Sequence, residues 1–267
     1  MKLDYVKISP SQNMTALITS KANPADYAKI ASMMMDYEYV NAEQAGFLID
    51  PKDKNAILRL EMSGGEFCGN AVLSAAAYGK YKGWCTDNSF LMEASGAASP
   101  LACEVKILSP VLFESKAEMP KPLSIEEISI TYTGETISGS VVRMEGITHF
   151  VTDCWLEEEE FPALLEAIKE VIQDKAIGII PFKHIDGTDY EIRPYVHVTD
   201  TGSTFFERAC GSGTLALGAY LSSQLEESTF SVQQPGGTIH VESGSSYSIS
   251  TTVRITSEGT VYLPLDE

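Results

Sequence analysis

The sequence predicts a mixed α/β (α+β) protein made of two similar domains, each a curved, mostly antiparallel sheet wrapped around a central buried helix. Two observations predict this fold. Short strand-like apolar runs alternate with helical ones along the 267 residues. Two helical runs are apolar on nearly every face, which is typical of a helix buried on all sides. They follow Cys68 and Cys210, 142 positions apart and so close to half the chain, which suggests an old duplication.

The elements of the first half follow in order. The segments "MTALITS" and "AGFLI" are predicted strands, and "PADYAKIASMMMDY" is a predicted helix in which Pro24 suits the first turn. After the first cysteine helix, "SFLMEAS", "LACEVKIL" and "VLFES" are predicted consecutive strands. The stretch "AEMPKPLSIEE" has two prolines and few large apolar residues, which favours a linker. A domain boundary is therefore expected near residue 119.

The second half repeats this plan. The segments "ISITYTG", "ISGSVVRME" and "THFVTD" are predicted strands, and "EEEEFPALLEAIKEVIQ" is a predicted helix. Its four glutamates are expected to be a solvated helix start, favoured by the helix dipole and without a function of their own. Further predicted strands lead to Cys210.

Composition and charge narrow the function classes. Nineteen Lys and Arg residues against thirty-seven Asp and Glu residues give a formal net charge of −18, which repels nucleic-acid backbones and anionic membrane surfaces. The N-terminal segment lacks an apolar signal region, and no run approaches the ~18 apolar residues of a membrane span. The sequence therefore predicts a soluble, cytoplasmic protein with no nucleic-acid or membrane partner.

Cysteine and histidine usage argues against a disulfide framework and against a metal site. The five cysteines are odd in number and scattered, so reduced thiols are expected. No Cys-x-x-Cys occurs, and the four histidines never sit at paired ligand spacing, so no metal is predicted. Cys85, Cys103 and Cys154 lack a following glycine and are expected to be structural.

The motifs "GEFCGNA" and "ERACGSGT" place a thiol beside an anion site. Glycine follows each cysteine and lets a ligand approach the backbone, while Asn70 and Ser212 add polar groups at the same turn. The N–H groups at a helix start attract a carboxylate, and the same positive end is expected to lower the pKa of the neighbouring thiol. The alternative is that both cysteines are small buried residues without a function, but two copies of the same order favour function.

Two such helix starts facing one carboxylate would make a two-base racemase. One thiolate would remove the α-proton from one face of the α-carbon, and the opposite thiol would return a proton to the other face. The helix N-termini would stabilise the negative charge that develops on the carboxylate. Cys68 and Cys210 are therefore the predicted catalytic residues.

At these residues the sequence resembles the diaminopimelate epimerase family, the pyridoxal-independent racemases and epimerases with two facing domains and one catalytic cysteine from each. The resemblance covers nearly the whole chain. It implies that no cofactor is needed, and it implies diaminopimelate-epimerase-like domains at residues 1–119 and 120–255, with a C-terminal strand at about 256–267 that returns to the first domain.

The resemblance also implies which residues bind the substrate. The segment "SQNMTALI" places Asn13 at the family's substrate-binding asparagine, and "AEQAGFLI" places Gln44, with Glu43 beside it, at the pocket wall. The segment "QQPGGTIHV" matches the family's Pro-Gly-Gly turn. The remaining predicted substrate-binding residues lie in or next to the cysteine motifs: Gly69, Asn70, Glu207, Gly211 and Ser212.

Departures from the family concern the far end of the substrate. Authentic diaminopimelate epimerases hold it with asparagines and with a Glu-Arg pair several residues before the second cysteine. Here the asparagine positions fall at or near Ile147 and Ile177, and the Glu-Arg position holds approximately Thr201 and Gly202. Diaminopimelate is therefore disfavoured as the substrate. His149, which follows the lost asparagine, is expected to be structural.

A closer resemblance is to the histidine racemases that supply D-histidine to opine-type metallophores. The shared features are "EMSGGEFCGNA", "AEQAGF", "CGSGT", "QPGG" and a glutamate three residues before the second cysteine. The resemblance implies a racemase of histidine in which Glu43 or Glu207 pairs with the imidazole, or else orients a cysteine or the substrate's α-ammonium. The partner is then a small-molecule amino acid, and a homodimer is left open.

Three alternatives stay open at the level of the sequence. The first is a racemase or epimerase of another amino acid, including diaminopimelate. The second is a phenazine-biosynthesis-like isomerase, which shares the two-domain fold but works with an acidic residue, so that retention of both cysteines argues against it. The third is a non-catalytic amino-acid-binding protein, in which the second thiol would be unexplained.

Overall fold

The computed structural model describes residues 1–199 and 202–265. The chain divides into two compact units, one formed by Met1–Met119 with the segment from Ser250 onward, the other by Pro120–Ile249. The sequence placed the return to the first unit near residue 256. The crossing lies earlier, at Ser250, because it falls inside a single strand that runs without interruption over Tyr247–Tyr262.

The first unit is a sheet closed around one helix. Antiparallel pairs (β1–β2, β3–β4, β5–β6, β6–β7) combine with two parallel pairs (β2–β3, β4–β5), and at each parallel pair a helix crosses over. The last strand pairs with both β1 and β7, which closes the ring. The bounds are β1 Lys2–Pro10, β2 Thr15–Ile18, α1 Tyr27–Met35, β3 Gln44–Ile49, β4 Ala56–Met62, α2 Gly69–Tyr81, β5 Ser89–Ala94, β6 Leu101–Ser109, β7 Leu112–Met119 and β17 Tyr247–Tyr262.

Helix α2 runs through the middle of this ring. It packs against β1, β2, β3, β4, β6 and β7, and every residue from Asn70 to Lys80 is buried. Seven of its thirteen residues are alanine, glycine or serine, so the surrounding strands approach the helix backbone closely. The all-round apolar pattern in the sequence therefore predicted the position of this helix correctly.

The second unit repeats the same order of elements. Hairpin β9–β10 leads through helix α3 to hairpin β11–β12, and helix α4 then leads to hairpin β15–β16, as β1–β2, α1, β3–β4, α2 and β5–β6 do in the first unit. The bounds are β8 Ser124–Tyr132, β9 Glu135–Met144, β10 Ile147–Thr152, α3 Phe161–Lys169, β11 Ala176–Asp186, β12 Asp189–Ile192, β13 Tyr195–Val198, β14 Ser203–Phe206, α4 Gly211–Gln224, β15 Thr229–Gln234 and β16 Gly237–Glu242.

One hairpin distinguishes the second unit from the first. Strands β13 and β14 are inserted before α4, and β13 pairs antiparallel with β11. Phe206 on β14 packs edge-on against Phe161 of α3, which fixes the chain just before Glu207. Helix α4 packs against β9, β10, β11, β15 and β16, so it occupies the centre of its unit as α2 does.

The predicted fold class, α+β with a buried central helix in each of two similar domains, is confirmed. The predicted linker is shorter than expected, because "SIEE" belongs to β8, which begins at Ser124. Short 3₁₀ turns at Pro24–Asp26 and Glu158–Glu160 precede α1 and α3 and take up the first turns of the two predicted helices. None of the helices in residues 1–199 and 202–265 is long and apolar enough to cross a membrane.

Candidate active site

Each unit places a cysteine directly before its buried helix. Cys68 and Cys210 are the N-cap residues of α2 and α4, and both have extended backbone, with φ of −135° and −117°. In each helix the first intrahelical bond is accepted by the cysteine carbonyl, from Val72 N–H and from Thr214 N–H, each at 3.0 Å. The sequence therefore predicted both helix starts correctly. The sulfur atoms of Cys68 and Cys210 have different hydrogen-bond partners.

In the first unit the Cys68 thiol donates a hydrogen bond to a side-chain amide. Its Sγ lies 2.8 Å from Oε1 of Gln44 on β3. The Gln44 amide nitrogen donates to Asn13 Oδ1 and to Thr15 Oγ1, both at 2.7 Å. Turning this amide over would set its oxygen against the Asn13 oxygen, so Asn13 fixes the side of Gln44 that faces the sulfur. Gln44 therefore acts on Cys68 directly, a role that the sequence did not assign to it.

A tight turn brings Asn13 to this place. Ser11 and Gln12, between β1 and β2, both have positive φ, of 45° and 63°, and the Asn13 N–H donates to Pro10 O at 2.9 Å. Two successive residues of positive φ are typical of the hairpin turn whose twist matches its flanking strands. Asn13 is buried directly after the turn, with 3% of its surface exposed.

In the second unit a glutamine holds the backbone of Cys210. The Cys210 N–H donates to Gln234 Oε1 at 2.7 Å, and the Gln234 amide donates to Thr214 Oγ1 at 2.8 Å. Gln234 is buried at the end of β15, directly before the Pro-Gly-Gly turn. No sequence pattern indicated a role for Gln234, because 24 positions separate it from the cysteine whose orientation it fixes.

The Cys210 sulfur is surrounded by three polar groups. It accepts a hydrogen bond from the Gly213 N–H at 3.2 Å, lies 3.5 Å from Ser212 Oγ, and is hydrogen-bonded to the Glu207 side chain. Burial, followed by the negative charge and hydrogen bond of Glu207, raises the pKa of Cys210 well above its ordinary value, although Ser212 and Gly213 act to lower it. The expectation that the helix start lowers the thiol pKa is therefore wrong for Cys210 without a ligand.

These contacts decide which N–H groups at the start of α4 can bind a ligand. The N–H of Cys210 is taken by Gln234, and that of Gly213 by the Cys210 sulfur. In the described part of the chain, the N–H groups of Gly211 and Ser212 make no hydrogen bond. Two adjacent N–H groups at the positive end of a helix form a site for one carboxylate.

The other predicted site residues lie in varied positions. Gly69 and Asn70 form the first turn of α2, where Asn70 is buried. Glu43 directly precedes β3 and its side chain is exposed. Ile147 begins β10, whereas Ile177 packs into the core against α3 and is 2% exposed, so it is part of that core. Thr201 lies outside the described residues.

A histidine that was expected to be structural lies beside Ser212 at the start of α4. His149 on β10 is fully buried, and its Nε2 lies 3.0 Å from Ser212 Oγ. Burial lowers the pKa of His149 to about 3, so the ring is neutral over the physiological range. The signal that could have found it is Gly178 in "AIGII", since an isolated glycine inside a strand often marks a close approach.

We expect His149 to make the protein sensitive to acid. Because its pKa is lowered in the folded state, the unfolded chain takes up a proton below about pH 6.5 that the folded chain refuses, and stability falls as the pH drops. Between pH 8 and pH 5 this group should remove about 2 kcal/mol from the free energy of unfolding. Urea unfolding of the wild type and of His149→Met over this range measures it. Equal pH slopes in the two proteins would contradict the buried, neutral assignment.

Among residues 1–199 and 202–265, no group of three or more His, Cys, Asp or Glu side chains is arranged to hold an ion. The five cysteines of those residues are free thiols.

The chain is similar to histidine racemases over nearly its whole length. The family model for the histidine racemase CntK N-terminal domain matches residues 2–262. A histidine racemase of Fusobacterium nucleatum is 31% identical over 268 aligned positions, which cover 98% of this chain and 97% of that protein. A histidine racemase of Staphylococcus aureus is 28% identical over 248 positions, covering 90% and 88%.

Solved structures share the fold. A phenazine biosynthesis PhzF family protein from Enterococcus faecalis matches with a TM-score of 0.67 and 18% identity, covering 98% of this chain and 100% of that one. A probable proline racemase from Agrobacterium radiobacter K84, solved with bound carbonate, matches with a TM-score of 0.71 and 12% identity, covering 99% and 93%. At these identities the likeness establishes the fold and leaves the reaction to be decided by the site and the sequence relatives.

Proposed function

Because this chain belongs to the histidine racemase family, we propose that it interconverts L- and D-histidine without a cofactor, with Cys68 and Cys210 as the two bases. The observation that carries this proposal is the repeated helix start. Each unit sets a cysteine in extended backbone directly before a buried helix, with a polar side chain hydrogen-bonded to its sulfur.

The proposed reaction moves one proton off the α-carbon and a different proton onto it. A thiolate on one side takes the α-proton, and the C–H electron pair moves toward the carboxylate. A thiol on the other side gives its proton to the opposite face, which inverts the configuration. The two sulfurs end with exchanged protonation states, so exchange with solvent restores the enzyme for the next molecule of the same enantiomer.

In this proposal the helix starts bind the substrate carboxylate. The N–H groups of Gly211 and Ser212 supply two donors at the start of α4. In the first unit we assign the same carboxylate-binding role to the first turn of α2, with Gly69 and Asn70. Negative charge grows on the carboxylate as the α-proton leaves. Fixed N–H groups at a helix N-terminus stabilise that charge more in the transition state than in the ground state.

The remaining polar residues have separate proposed roles. Gln44, held by Asn13, keeps the Cys68 thiol oriented through the 2.8 Å contact with its amide oxygen. Glu207 faces Cys210 and pairs with a positively charged group of the substrate when substrate is bound. Glu43, exposed beside Gln44, remains a predicted substrate contact. Cytoplasmic location, homodimer formation and supply of D-histidine to a metallophore stay predictions.

A panel of amino acids tests the proposed function. Purified protein is incubated with L-histidine, meso-diaminopimelate, L-proline and other L-amino acids, and the enantiomers are separated by chiral chromatography. We expect selective conversion of histidine, unchanged by EDTA or by removal of pyridoxal phosphate. Diaminopimelate should react poorly, because the sequence lacks the asparagines and the upstream Glu-Arg pair that hold its far end in the epimerases, and a second carboxylate without donors loses several kcal/mol of hydration. Selective turnover of diaminopimelate would contradict the substrate assignment. Selective turnover of another amino acid would contradict the histidine assignment but would leave the two-base mechanism in place.

A further inference from the structure

A buried histidine is linked to the second cysteine through one serine. His149 Nε2 lies 3.0 Å from Ser212 Oγ, and Ser212 Oγ lies 3.5 Å from Cys210 Sγ. We propose that His149 is a positioning residue for Cys210. Its neutral ring carries the hydrogen on Nε2 and donates a hydrogen bond to Ser212 Oγ, which directs the serine hydroxyl at the sulfur. The catalytic consequence of this assignment rests on the proposed function, whereas the hydrogen-bond assignment itself does not.

The surroundings of the two ring nitrogens of His149 indicate which of them carries the hydrogen. His149 Nδ1 is buried and has no hydrogen-bond partner in the part of the chain that the structure describes. Orphaned buried N–H groups are rare in proteins, and buried acceptors without a donor are less rare. The proton therefore belongs on Nε2, which faces Ser212 Oγ.

The tautomer in turn fixes the direction of the serine hydroxyl. Ser212 has one hydrogen to donate and two lone pairs to accept with. When His149 donates to its oxygen, the serine hydrogen is left for another acceptor, and Cys210 Sγ lies at 3.5 Å. Ser212 and the Gly213 N–H then both donate to the sulfur, and both act to lower the pKa of Cys210.

A glycine on the neighbouring strand holds the ring in place. His149 pairs with Gly178 across the parallel strands β10 and β11. A Cβ on Gly178 would lie 2.0 Å from His149 Nδ1, so no larger residue fits opposite this ring. The ring therefore fits only because residue 178 is glycine, and even alanine at this position would displace the imidazole from Ser212.

The hydrogen-bond chain from His149 through Ser212 to Cys210, called the relay from here on, makes the two thiols unequal. Cys68 donates to the Gln44 amide oxygen, a hydrogen bond that only the protonated thiol can make. Cys210 receives donors from Gly213 and, through the relay, from Ser212, and these stabilise its ionised form. His149 therefore supports ionisation of a buried sulfur against the opposing effects of burial and Glu207.

Variants at His149 separate positioning from mere packing. His149→Met fills the space without a donor, while His149→Gln keeps an N–H near the Nε2 position. His197→Met is the matched control, because His197 is also buried in this unit and its Nδ1 is also without a partner in the described residues. The readouts are the ¹⁵N spectrum of the imidazoles in the wild type and the pH at which the Cys210 thiolate absorbance appears, taken as the difference from a Cys210→Ser background.

We expect the ¹⁵N spectrum to show His149 neutral and protonated on Nε2. His149→Met and Ser212→Ala should each move the Cys210 titration to higher pH and lower kcat/KM for histidine about tenfold, and the double variant should change neither much further. His149→Gln should recover most of both, and His197→Met should resemble the wild type.

Several results would overturn the relay. A proton on Nδ1, an imidazolium at neutral pH, or a Cys210 titration that His149→Met leaves unchanged would each do so. Should His149→Met fail to fold, the ¹⁵N spectrum of the wild type and the titration of Gly178→Ala decide instead, with Gly178→Ala expected to behave like Ser212→Ala. If the titrations and the tautomer agree but histidine is not racemised, the proposed function fails and the relay stands.

Discussion

Racemisation of histidine is expected to fall about a thousandfold or more when either Cys68 or Cys210 is replaced by alanine. In the proposed mechanism each sulfur serves one face of the α-carbon, so loss of either one removes the base or the acid of the reaction without a substitute. The two losses should not add in the double variant, because racemisation already requires both groups. Chiral chromatography of the products measures the effect.

Cys154→Ala is the matched control for both variants, because Cys154 is an exposed free thiol of the second unit. It should keep wild-type activity. Each active-site variant can still exchange the α-proton of one enantiomer with deuterated water, through the base that remains, and the two variants should prefer opposite enantiomers. Substantial racemisation by either Cys68→Ala or Cys210→Ala would exclude the two-base assignment.

Replacing Glu207 by glutamine is expected to lower the pKa of Cys210 and to reduce kcat for histidine by about ten- to a hundredfold. The negative charge of Glu207 raises the thiol pKa, after burial, so its removal lets the sulfur ionise at lower pH. The rising limb of the pH-rate profile for the direction in which Cys210 is the base should therefore move to lower pH. In the proposed mechanism activity falls, because a neutral amide does not pair with a positively charged group of the substrate as the carboxylate does.

Glu226→Gln provides the comparison, since Glu226 is an exposed glutamate of the same unit. It should change neither the Cys210 titration nor kcat. The two readouts for Glu207→Gln move in opposite directions, more thiolate with less turnover, which a general loss of structure would not produce. A Cys210 titration that stays in place would show that Glu207 does not act on this sulfur.

The parts of the fold that depend on local pattern could be predicted from the sequence. All-round apolar runs after Cys68 and Cys210 predicted the two buried helices, and the Cys-Gly order predicted where they begin. Strands with clear apolar runs were also placed within a few residues. The return of the chain to the first unit was placed late, because β17 carries no break in its sequence at Ser250.

The parts of the site that depend on distant contacts could not be predicted. Gln234 acts on Cys210 from 24 positions away, and His149 reaches Ser212 across 63. Neither spacing follows a helix or strand period, because both contacts depend on which strands border the start of α4 in the folded unit. The sign of the Cys210 pKa shift was missed for a related reason: the helix start is a local feature, whereas burial and the orientation of Glu207 are properties of the folded unit.

The α-hydrogen of the product tests the central claim most directly. L-histidine is incubated with the enzyme in deuterated water, and at low conversion the two enantiomers are separated and analysed by mass spectrometry. Two separate thiols predict D-histidine that is fully deuterated at the α-carbon, while the remaining L-histidine keeps its original hydrogen. D-histidine that retains the substrate's own α-hydrogen would mean that one base serves both faces, and would contradict the account of Cys68 and Cys210 as a pair.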